Sequence, residues 1–140
     1  MHVENRVHPD AEQVAALQRP GADGPIVMLN LLKFRARAAY PDGRADDVSG
    51  REAFARYGMG FAPLLHAIGG RILFSGEVSL LAIGQADDLW DAVALAEYPS
   101  RAAFFQLATS PEYLAVAVHR EAGLAGQLLI ETAPGLGGRP

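Results

Sequence analysis

The stretch PIVMLNLLKFR, from Pro25 to Arg35, decides how the rest of the chain can fold. The run Ile26 to Phe34 has the length and apolar character of a β-strand. Because successive side chains of a strand point to opposite faces, alternate residues share a face. One face carries Ile26, Met28, Asn30, Leu32 and Phe34, and the other carries Val27, Leu29, Leu31, Lys33 and Arg35. Both faces are mainly apolar, which predicts a central strand that is covered on both sides.

Three further strands are predicted. RILFSGEVSLLAIG, from Arg71 to Gly84, places Ile72 and Phe74 on one side and polar residues on the other, which favours an edge strand with a bulge at Gly76. DLWDAVALAEYP, residues 88–99, is apolar on both faces and is therefore predicted to be central. QLLIET, residues 127–132, is the last strand.

The helices are predicted from their start and stop signals. Asp10 caps a short first helix, which a linker follows. Ser49 and Glu52 stand in capping-box register before an apolar stripe that ends at the pair Gly69 and Gly70. Ser100 and Ser110 each begin a helical segment, and the second segment stops at Gly123.

The resulting order, β-α-β-β-α-β behind a leading helix, predicts an α+β, ferredoxin-like domain with a four-stranded antiparallel sheet. Its first and third strands are central in that topology, and these are the two strands without a polar face. Because two helices can cover only one face of the sheet, we expect a second copy of the chain to cover the other, giving a homodimeric α/β barrel. The predicted organisation is an N-terminal helix and linker (1–24), the domain (25–132) and a disordered tail (133–140).

Composition narrows the function classes. The chain has 140 residues, of which 50% are hydrophobic, and this suits one folded domain. Its net charge of −4 opposes nucleic-acid binding. No apolar run is long enough to cross a membrane and the N-terminal stretch is unlike a signal peptide, so we expect a cytoplasmic protein. The absence of Cys excludes thiolate nucleophiles and thiolate metal sites.

Four segments, VMLNLLKFR, GGRILFSGEV, ALAEYPSRAAF and SPEYLAVAVHREAG, resemble in order those of a family of small bacterial proteins, domain-of-unknown-function family 1330. The resemblance runs from about Pro25 to Thr132. It implies the dimeric α/β-barrel superfamily and a homodimer. It implies chemistry only broadly, because relatives in that superfamily include cofactor-independent monooxygenases, lactone isomerases and haem enzymes.

The candidate polar residues each have two interpretations. Asn30 is either a structural amide satisfied by its neighbours or a ligand-orienting amide in a cavity. Glu97 either forms an ion pair with Arg71 or Arg120 or acts as a pocket acid or base. His119 lies within the family-like segment and is the better histidine for proton transfer.

Aromatic residues are the candidate walls of a pocket, although core packing explains them equally well: Tyr57, Trp90, Tyr98 and Tyr113. There is no HExxH motif and no histidine pair at ligand spacing, so no metal or cofactor is predicted. The chain also lacks a G-x-S-x-G elbow, a P-loop and a strand-anchored dinucleotide motif.

The leading hypothesis is a small-molecule enzyme that catalyses oxygenation, isomerisation or another proton transfer on a small organic acid or aromatic. Its predicted catalytic residues are Glu97 and His119. Its predicted substrate-binding residues are Asn30, Arg71, Tyr57, Trp90, Tyr98 and Arg120. The alternative is a non-catalytic, dimeric ligand-binding protein that uses the same cavity.

Overall fold

A computed structural model describes residues 1–21 and 24–135 of the chain. The elements along it are α1 (Ala11–Gln18), β1 (Ile26–Phe34), α2 (Gly50–Ala67), β2 (Arg71–Glu77), β3 (Ala92–Tyr98), α3 (Arg101–Ala108), α4 (Pro111–Gly123) and β4 (Leu124–Thr132). The strands form one antiparallel sheet in the order β2-β3-β1-β4. The predicted α+β, ferredoxin-like fold with central first and third strands is therefore confirmed.

The predicted helix starts are confirmed by their caps. The Asp10 carboxylate accepts a hydrogen bond from the Gln13 amide, and the Ser49 hydroxyl accepts one from the Glu52 amide. Ser100 and Ser110 cap α3 and α4 in the same way. These side chains satisfy amide groups that the first turn of a helix leaves without partners.

All the helices contribute to one core on the same side of the sheet. Met28 of β1 and Ala96 of β3 are buried there against Phe61 and Leu65 of α2 and Phe104 of α3. Leu17 of α1 and Tyr113 of α4 pack at the edge of the same cluster. Burial of such side chains supplies most of the driving force for folding.

The backbones of α2 and α4 approach closely where α2 begins and α4 ends. A Cβ atom on Gly50 would lie 2.7 Å from the Gly123 carbonyl oxygen, and one on Gly123 would lie 2.5 Å from the Gly50 carbonyl oxygen. Only glycine fits at either position, because a Cβ atom would overlap the carbonyl oxygen of the other helix. This crossing fixes α4 relative to α2, and both helices contribute to the site described below.

The predicted second strand was wrong in length and in its bulge. β2 ends at Glu77, and residues 78–91 form a loop. Lys33 holds this loop, because its Nζ atom lies 2.7 Å from an Asp88 carboxylate oxygen and 2.7 Å from the Leu89 carbonyl oxygen. The shift in register falls between Ile72 and Phe74, not at Gly76, so these two side chains point to opposite faces of the sheet.

The other strand bounds differ less from those predicted. β3 begins at Ala92 and β4 begins at Leu124. The predicted domain limits stay predictions, and residues 136–140 of the predicted tail lie outside the described residues, as do residues 22–23 of the predicted linker.

The face of the sheet opposite the helices carries a row of apolar side chains in register across its four strands. Phe74 of β2 pairs with Leu95 of β3, which pairs with Leu29 of β1, which pairs with Ile130 of β4. Phe74 is 57% exposed and Ile130 is 42% exposed. We call this row the open-face row.

Candidate functional site

A cavity of about 780 Å³ lies between the helices, the sheet and the N-terminal part of the chain. Its floor is formed by Met28 and Asn30 of β1, together with Gln127 of β4. Its aromatic wall is made of Tyr57, Phe61, Tyr98, Phe104 and Tyr113. The cavity is large enough for a small organic ligand.

A continuous line of polar side chains crosses this floor. The Gln127 Nε2 donates to the Asn30 Oδ1 at 2.8 Å, and the Arg120 Nη2 donates to the Gln127 Oε1 at 2.8 Å. The Asn30 Nδ2 donates in turn to the carbonyl oxygens of Met28 and Ala94, each at 3.3 Å. Asn30 is therefore both satisfied by its neighbours and placed in a cavity wall, so the two interpretations of this residue are compatible.

Arg120 stands out among the charged residues of the cavity. It is half-buried, and among the described residues no carboxylate forms an ion pair with its guanidinium. Its Nη2 donates to Gln127 and to the Val7 carbonyl oxygen, and among the described residues no acceptor is bound to its Nε or Nη1 hydrogens.

The carboxylates of the cavity, in contrast, have basic side chains as partners. Glu131 accepts two hydrogen bonds from Arg101, both at 2.7 Å, and these bonds lower the pKa of its carboxyl group. Glu4 and Asp10 pair with Arg6, and Glu121 lies 3.2 Å from His8.

Two tyrosine hydroxyls meet in the wall. The hydroxyl oxygens of Tyr57 and Tyr113 lie 3.0 Å apart, and the Tyr57 ring stacks on Phe61 with a centroid distance of 5.3 Å. Burial raises the pKa of Tyr57 well above its ordinary value, Tyr113 raises it further, and the charge of Arg120 opposes the rise. Burial, followed by Tyr113, also raises the pKa of Tyr98.

The N-terminal arm, which we define as residues 4–10, covers one side of the cavity. The Arg6 amide donates to the Gln127 carbonyl oxygen at 3.2 Å, forming a bridge to the free edge of β4. The Val7 carbonyl oxygen accepts from Arg120. Arg101 of α3 donates to the Arg19 carbonyl oxygen at 3.2 Å, which connects the end of α1 to α3. The arm and the polar line are therefore one connected structure.

Four of the eight predicted site residues meet in this cavity, namely Asn30, Tyr57, Tyr98 and Arg120. The other four lie elsewhere. Arg71 and Glu97 form an ion pair at 3.1 Å in a register that places them on the open face of the sheet, and Trp90 lies in the loop of residues 78–91. The structure therefore does not place all eight residues in a single pocket. A chemical role for Glu97 stays a prediction.

His119 belongs to a separate cluster on the outer side of α4. Its Nδ1 lies 2.8 Å from the Tyr40 hydroxyl, to which Arg56 donates at 3.0 Å. The Tyr40 hydroxyl therefore accepts from Arg56 and shares one hydrogen with the Nδ1 of His119. Burial lowers the pKa of His119, and the nearby charges of Arg44 and Arg56 lower it further. Its predicted role in proton transfer stays a prediction.

Sequence reasoning missed Gln127 and the N-terminal arm. Gln127 shares its face of β4 with Glu131, so a polar residue at alternate positions was the available signal. The arm carries no hydrophobic periodicity, and its position follows only from backbone hydrogen bonds that the sequence does not display.

The site is rich in hydrogen-bond donors. The tyrosine hydroxyls, the second amide hydrogen of Gln127 and the Arg120 guanidinium can donate to oxygen atoms of a ligand, whereas the carboxylates of the cavity pair with basic side chains. In the part of the chain that the structure describes, no cluster of three or more His, Asp or Glu side chains is arranged to hold a metal ion. The arrangement is suited to holding an anionic ligand and to stabilising negative charge on it.

Comparison with known proteins establishes the family. Residues 38–133 match the model of the family described as Domain of unknown function (DUF1330). The chain belongs to DUF1330. This confirms the resemblance seen in the sequence, and it extends across α2, β2, β3, α3, α4 and β4. None of the curated proteins matches this DUF1330 chain.

Solved structures similar to this DUF1330 protein include RPA0582, a protein of unknown function from Rhodopseudomonas palustris. The two are 38% identical over 94% of this chain and 98% of that chain, with a TM-score of 0.83. A methylated form of RPA0582 gives 39% identity over 96% of this chain and 98% of that chain, with a TM-score of 0.86.

A more distant structure shares the fold. It is a dimeric, ferredoxin-like protein of unknown function from Jannaschia sp. CCS1, 11% identical over 79% of this chain and 99% of that chain, with a TM-score of 0.52.

Across residues 1–21 and 24–135, none of the helices has the length and apolar character needed to span a membrane.

Proposed function

We propose that this DUF1330 protein binds a small organic acid with an aromatic ring in the cavity, and that Arg120 receives the carboxylate. The observation that supports this proposal is a half-buried guanidinium with unused donors and no ion-pair partner among the described residues. A carboxylate can accept two parallel hydrogen bonds from such a group.

The wall opposite the polar line suits the ring of such a ligand. Tyr57, Phe61 and Tyr113 already make stacked and edge-to-face contacts with one another, with ring centroids 5.3–6.0 Å apart. A ligand ring can extend this arrangement and gain the same contacts. The proposed ligand therefore has an anionic end and an apolar, planar body.

The proposed reaction class is isomerisation or oxygenation of this acid. Both types of reaction place negative charge on a ligand oxygen or on a conjugated ring, and the donors of the cavity would stabilise that charge. The alternative is binding without turnover. It is favoured by one observation, which is that Glu131, Glu4 and Asp10 are already engaged by arginine and are poorly placed to act as bases.

We also propose that two copies of the chain associate through the open faces of their sheets. The open-face row is apolar across four strands, and the helices all pack on the opposite side. A two-fold dimer would bury each row against its counterpart. The dimeric Jannaschia protein, which shares the fold, supports this assembly.

Binding can be tested with benzoate and benzamide, which differ in the charge of the group that Arg120 would meet. We expect benzoate to bind at least about tenfold more tightly than benzamide, because hydrogen bonds to charged groups contribute about 1.5–3 kcal/mol. Isothermal titration calorimetry gives both affinities. In Arg120→Gln the advantage of benzoate should disappear.

Arg37→Gln is the matched control, because Arg37 is exposed, pairs with Asp47 and does not line the cavity. This variant should retain the preference for benzoate. Equal affinity of the unaltered protein for benzoate and benzamide would refute the assignment of Arg120. If acids bind, a screen of ring acids for turnover by mass spectrometry then separates an enzyme from a binding protein.

A further inference from the structure

The hydroxyl groups of Tyr57 and Tyr113 form a hydrogen bond that uses only one of their two hydroxyl hydrogens. Each hydroxyl carries one hydrogen, and one of the two is used in the 3.0 Å bond between them. Among the described residues, the other hydrogen has no acceptor from the protein within hydrogen-bond reach. Both rings line the cavity, so this hydrogen is available to whatever occupies it.

Tyr57 stays neutral at physiological pH. Burial keeps the pKa of Tyr57 well above that of an ordinary phenol, and Tyr113 adds to the rise. A neutral hydroxyl donates to an oxygen atom of a ligand, whereas a phenolate would repel an acid. The Tyr57 hydroxyl is therefore suited to a hydrogen-bonded pair that donates to a ligand.

The backbone positions of Tyr113 and Arg120 lie at a fixed separation along α4. Tyr113 and Arg120 are separated by seven residues on α4, which places them on the same face of the helix two turns apart. Their Cα atoms are thus about 10 Å apart along the helix axis. A ligand whose carboxylate meets Arg120 would present the far end of its ring to the tyrosines.

We propose that the Tyr57–Tyr113 pair donates a hydrogen bond to a second oxygen of the ligand, carried at the end of the ring away from the carboxylate. The ligand class is then a ring acid with a carbonyl or hydroxyl oxygen opposite its carboxylate. This inference rests on the proposed function for the carboxylate end and adds a second specificity determinant to it.

The test uses pairs of probes that differ only in the second oxygen. 4-Acetylbenzoate and 4-isopropylbenzoate have nearly the same shape, but only the acetyl compound can accept a hydrogen bond. We expect the unaltered protein to bind the acetyl compound about three- to tenfold more tightly, the range for one neutral hydrogen bond. 2-Acetylbenzoate, whose two oxygen-bearing groups are adjacent, should gain no such advantage over 2-isopropylbenzoate.

Substitution of the tyrosines isolates the pair. In the double variant Tyr57→Phe/Tyr113→Phe, the preference for 4-acetylbenzoate should vanish while the affinity for 4-isopropylbenzoate stays within about twofold, since only hydroxyl groups are removed. The single variants serve if the double variant does not fold, and at least one of them should lower the preference. Tyr40→Phe also loses a hydroxyl group, but one outside the cavity, and should keep the preference.

The outcomes distinguish this inference from the proposed function. If the unaltered protein binds both 4-substituted acids equally well, the tyrosine pair is not a second anchor, although the carboxylate assignment stands. A preference that survives in the double variant overturns the inference in the same way. If neither acid binds, the proposed function fails and the inference fails with it.

Discussion

Gln127 is a single side chain whose two ends connect different parts of the molecule. It is 7% exposed, its amide nitrogen is bound to Asn30 on the central strand, and its amide oxygen is bound to Arg120 on α4. Among the described residues, neither Asn30 nor Arg120 has another side-chain hydrogen-bond partner. The position of the Arg120 guanidinium in the cavity therefore depends on an amide of the right length at residue 127.

Replacing Gln127 with Leu should destabilise the protein by about 1–3 kcal/mol, the cost of leaving a buried polar group without its partner. Chemical denaturation followed by circular dichroism measures the change in the free energy of unfolding. Gln106→Leu is the control, because Gln106 is an exposed glutamine on α3, and its substitution should change stability by less than about 0.5 kcal/mol.

The double variant Asn30→Leu/Gln127→Leu gives a sharper test of the same bond. Because the second substitution removes the atom that the first left unsatisfied, the double variant should be less destabilised than the sum of the two single variants. Strict additivity would show that the bond between Asn30 and Gln127 contributes nothing to stability.

Single residues also show what sequence reasoning can and cannot find. Asn30 was predictable as a site residue because it is one amide within an apolar strand. Gln127 was not, since the sequence predicts it as the first residue of the last strand, whereas β4 begins at Leu124. A polar residue at the end of a strand gives little sign of a site, whereas one in the middle of a buried strand needs a hydrogen-bond partner.

Among the elements of the fold, the loop of residues 36–48 is held by side chains from two helices. Tyr40 is 8% exposed, with its hydroxyl between His119 of α4 and Arg56 of α2. Arg44 lies over the Tyr40 ring, 4.6 Å from its centroid. Arg56 also pairs with Asp46 at 2.9 Å, so this α2 residue holds the loop at both Tyr40 and Asp46.

This arrangement makes part of the stability depend on pH. Because the pKa of folded His119 is lowered from its ordinary value of 6.5, the unfolded chain binds more protons at this residue than the folded chain. The contribution is therefore present above pH 6.5 and is lost as the pH falls through the lower pKa of the folded state.

Denaturation midpoints measured at pH 7.5 and pH 5.5 test this expectation. The unaltered protein should be less stable at the lower pH, and His119→Gln should show a smaller difference between the two. His66→Gln is the control, because His66 is an exposed histidine near the end of α2 and its replacement should leave the difference unchanged. An equal pH dependence in the His119 variant would contradict the assignment.

The prediction of elements from sequence succeeded where local chemistry determines them. The capping residues Asp10, Ser49, Ser100 and Ser110 located the helix starts, because a cap acts within one turn. The end of β2 was predicted wrongly because it depends on contacts between residues that are far apart in the sequence. The Val78 amide bonds to the Asp91 carbonyl oxygen, and Lys33 fixes the loop between them, so the apolar residues after Glu77 leave the sheet.

For the molecule as a whole, the open-face row is the apolar surface on which the proposed dimer depends. Its central members, Leu29 and Leu95, are half-buried within the sheet, while Phe74 and Ile130 at the edges are more exposed. The topology behind this row was predictable, because a strand with two apolar faces must be central. The cavity was harder to place, since it depends on how α1 and the N-terminal arm close over α4.

Placing a charge in the open-face row should prevent the proposed dimer from forming. We expect Phe74→Glu and Ile130→Glu to shift the sedimentation mass from two chains to one, because each would bring two carboxylates into an apolar interface. Both side chains are partly exposed in the single chain, so folding should survive, which circular dichroism can verify.

Met59→Glu is the control, because Met59 is 79% exposed on α2, away from the open face, and this variant should keep the mass of two chains. A mass of one chain for the unaltered protein at micromolar concentration would rule out the proposed association.

The cover of the cavity has a thermodynamic consequence. α1 contains no buried residue, and the N-terminal arm is attached mainly through backbone oxygens and amides, whereas β1 lies in the middle of the sheet. Local opening of this cover exposes partly buried apolar side chains such as Leu17 and Val7 but leaves the sheet intact, so it requires much less free energy than global unfolding. We expect residues 4–19 to detach more readily than the central strands, which would admit a small molecule to the interior, and hydrogen exchange should show their amides opening long before those of the central strands.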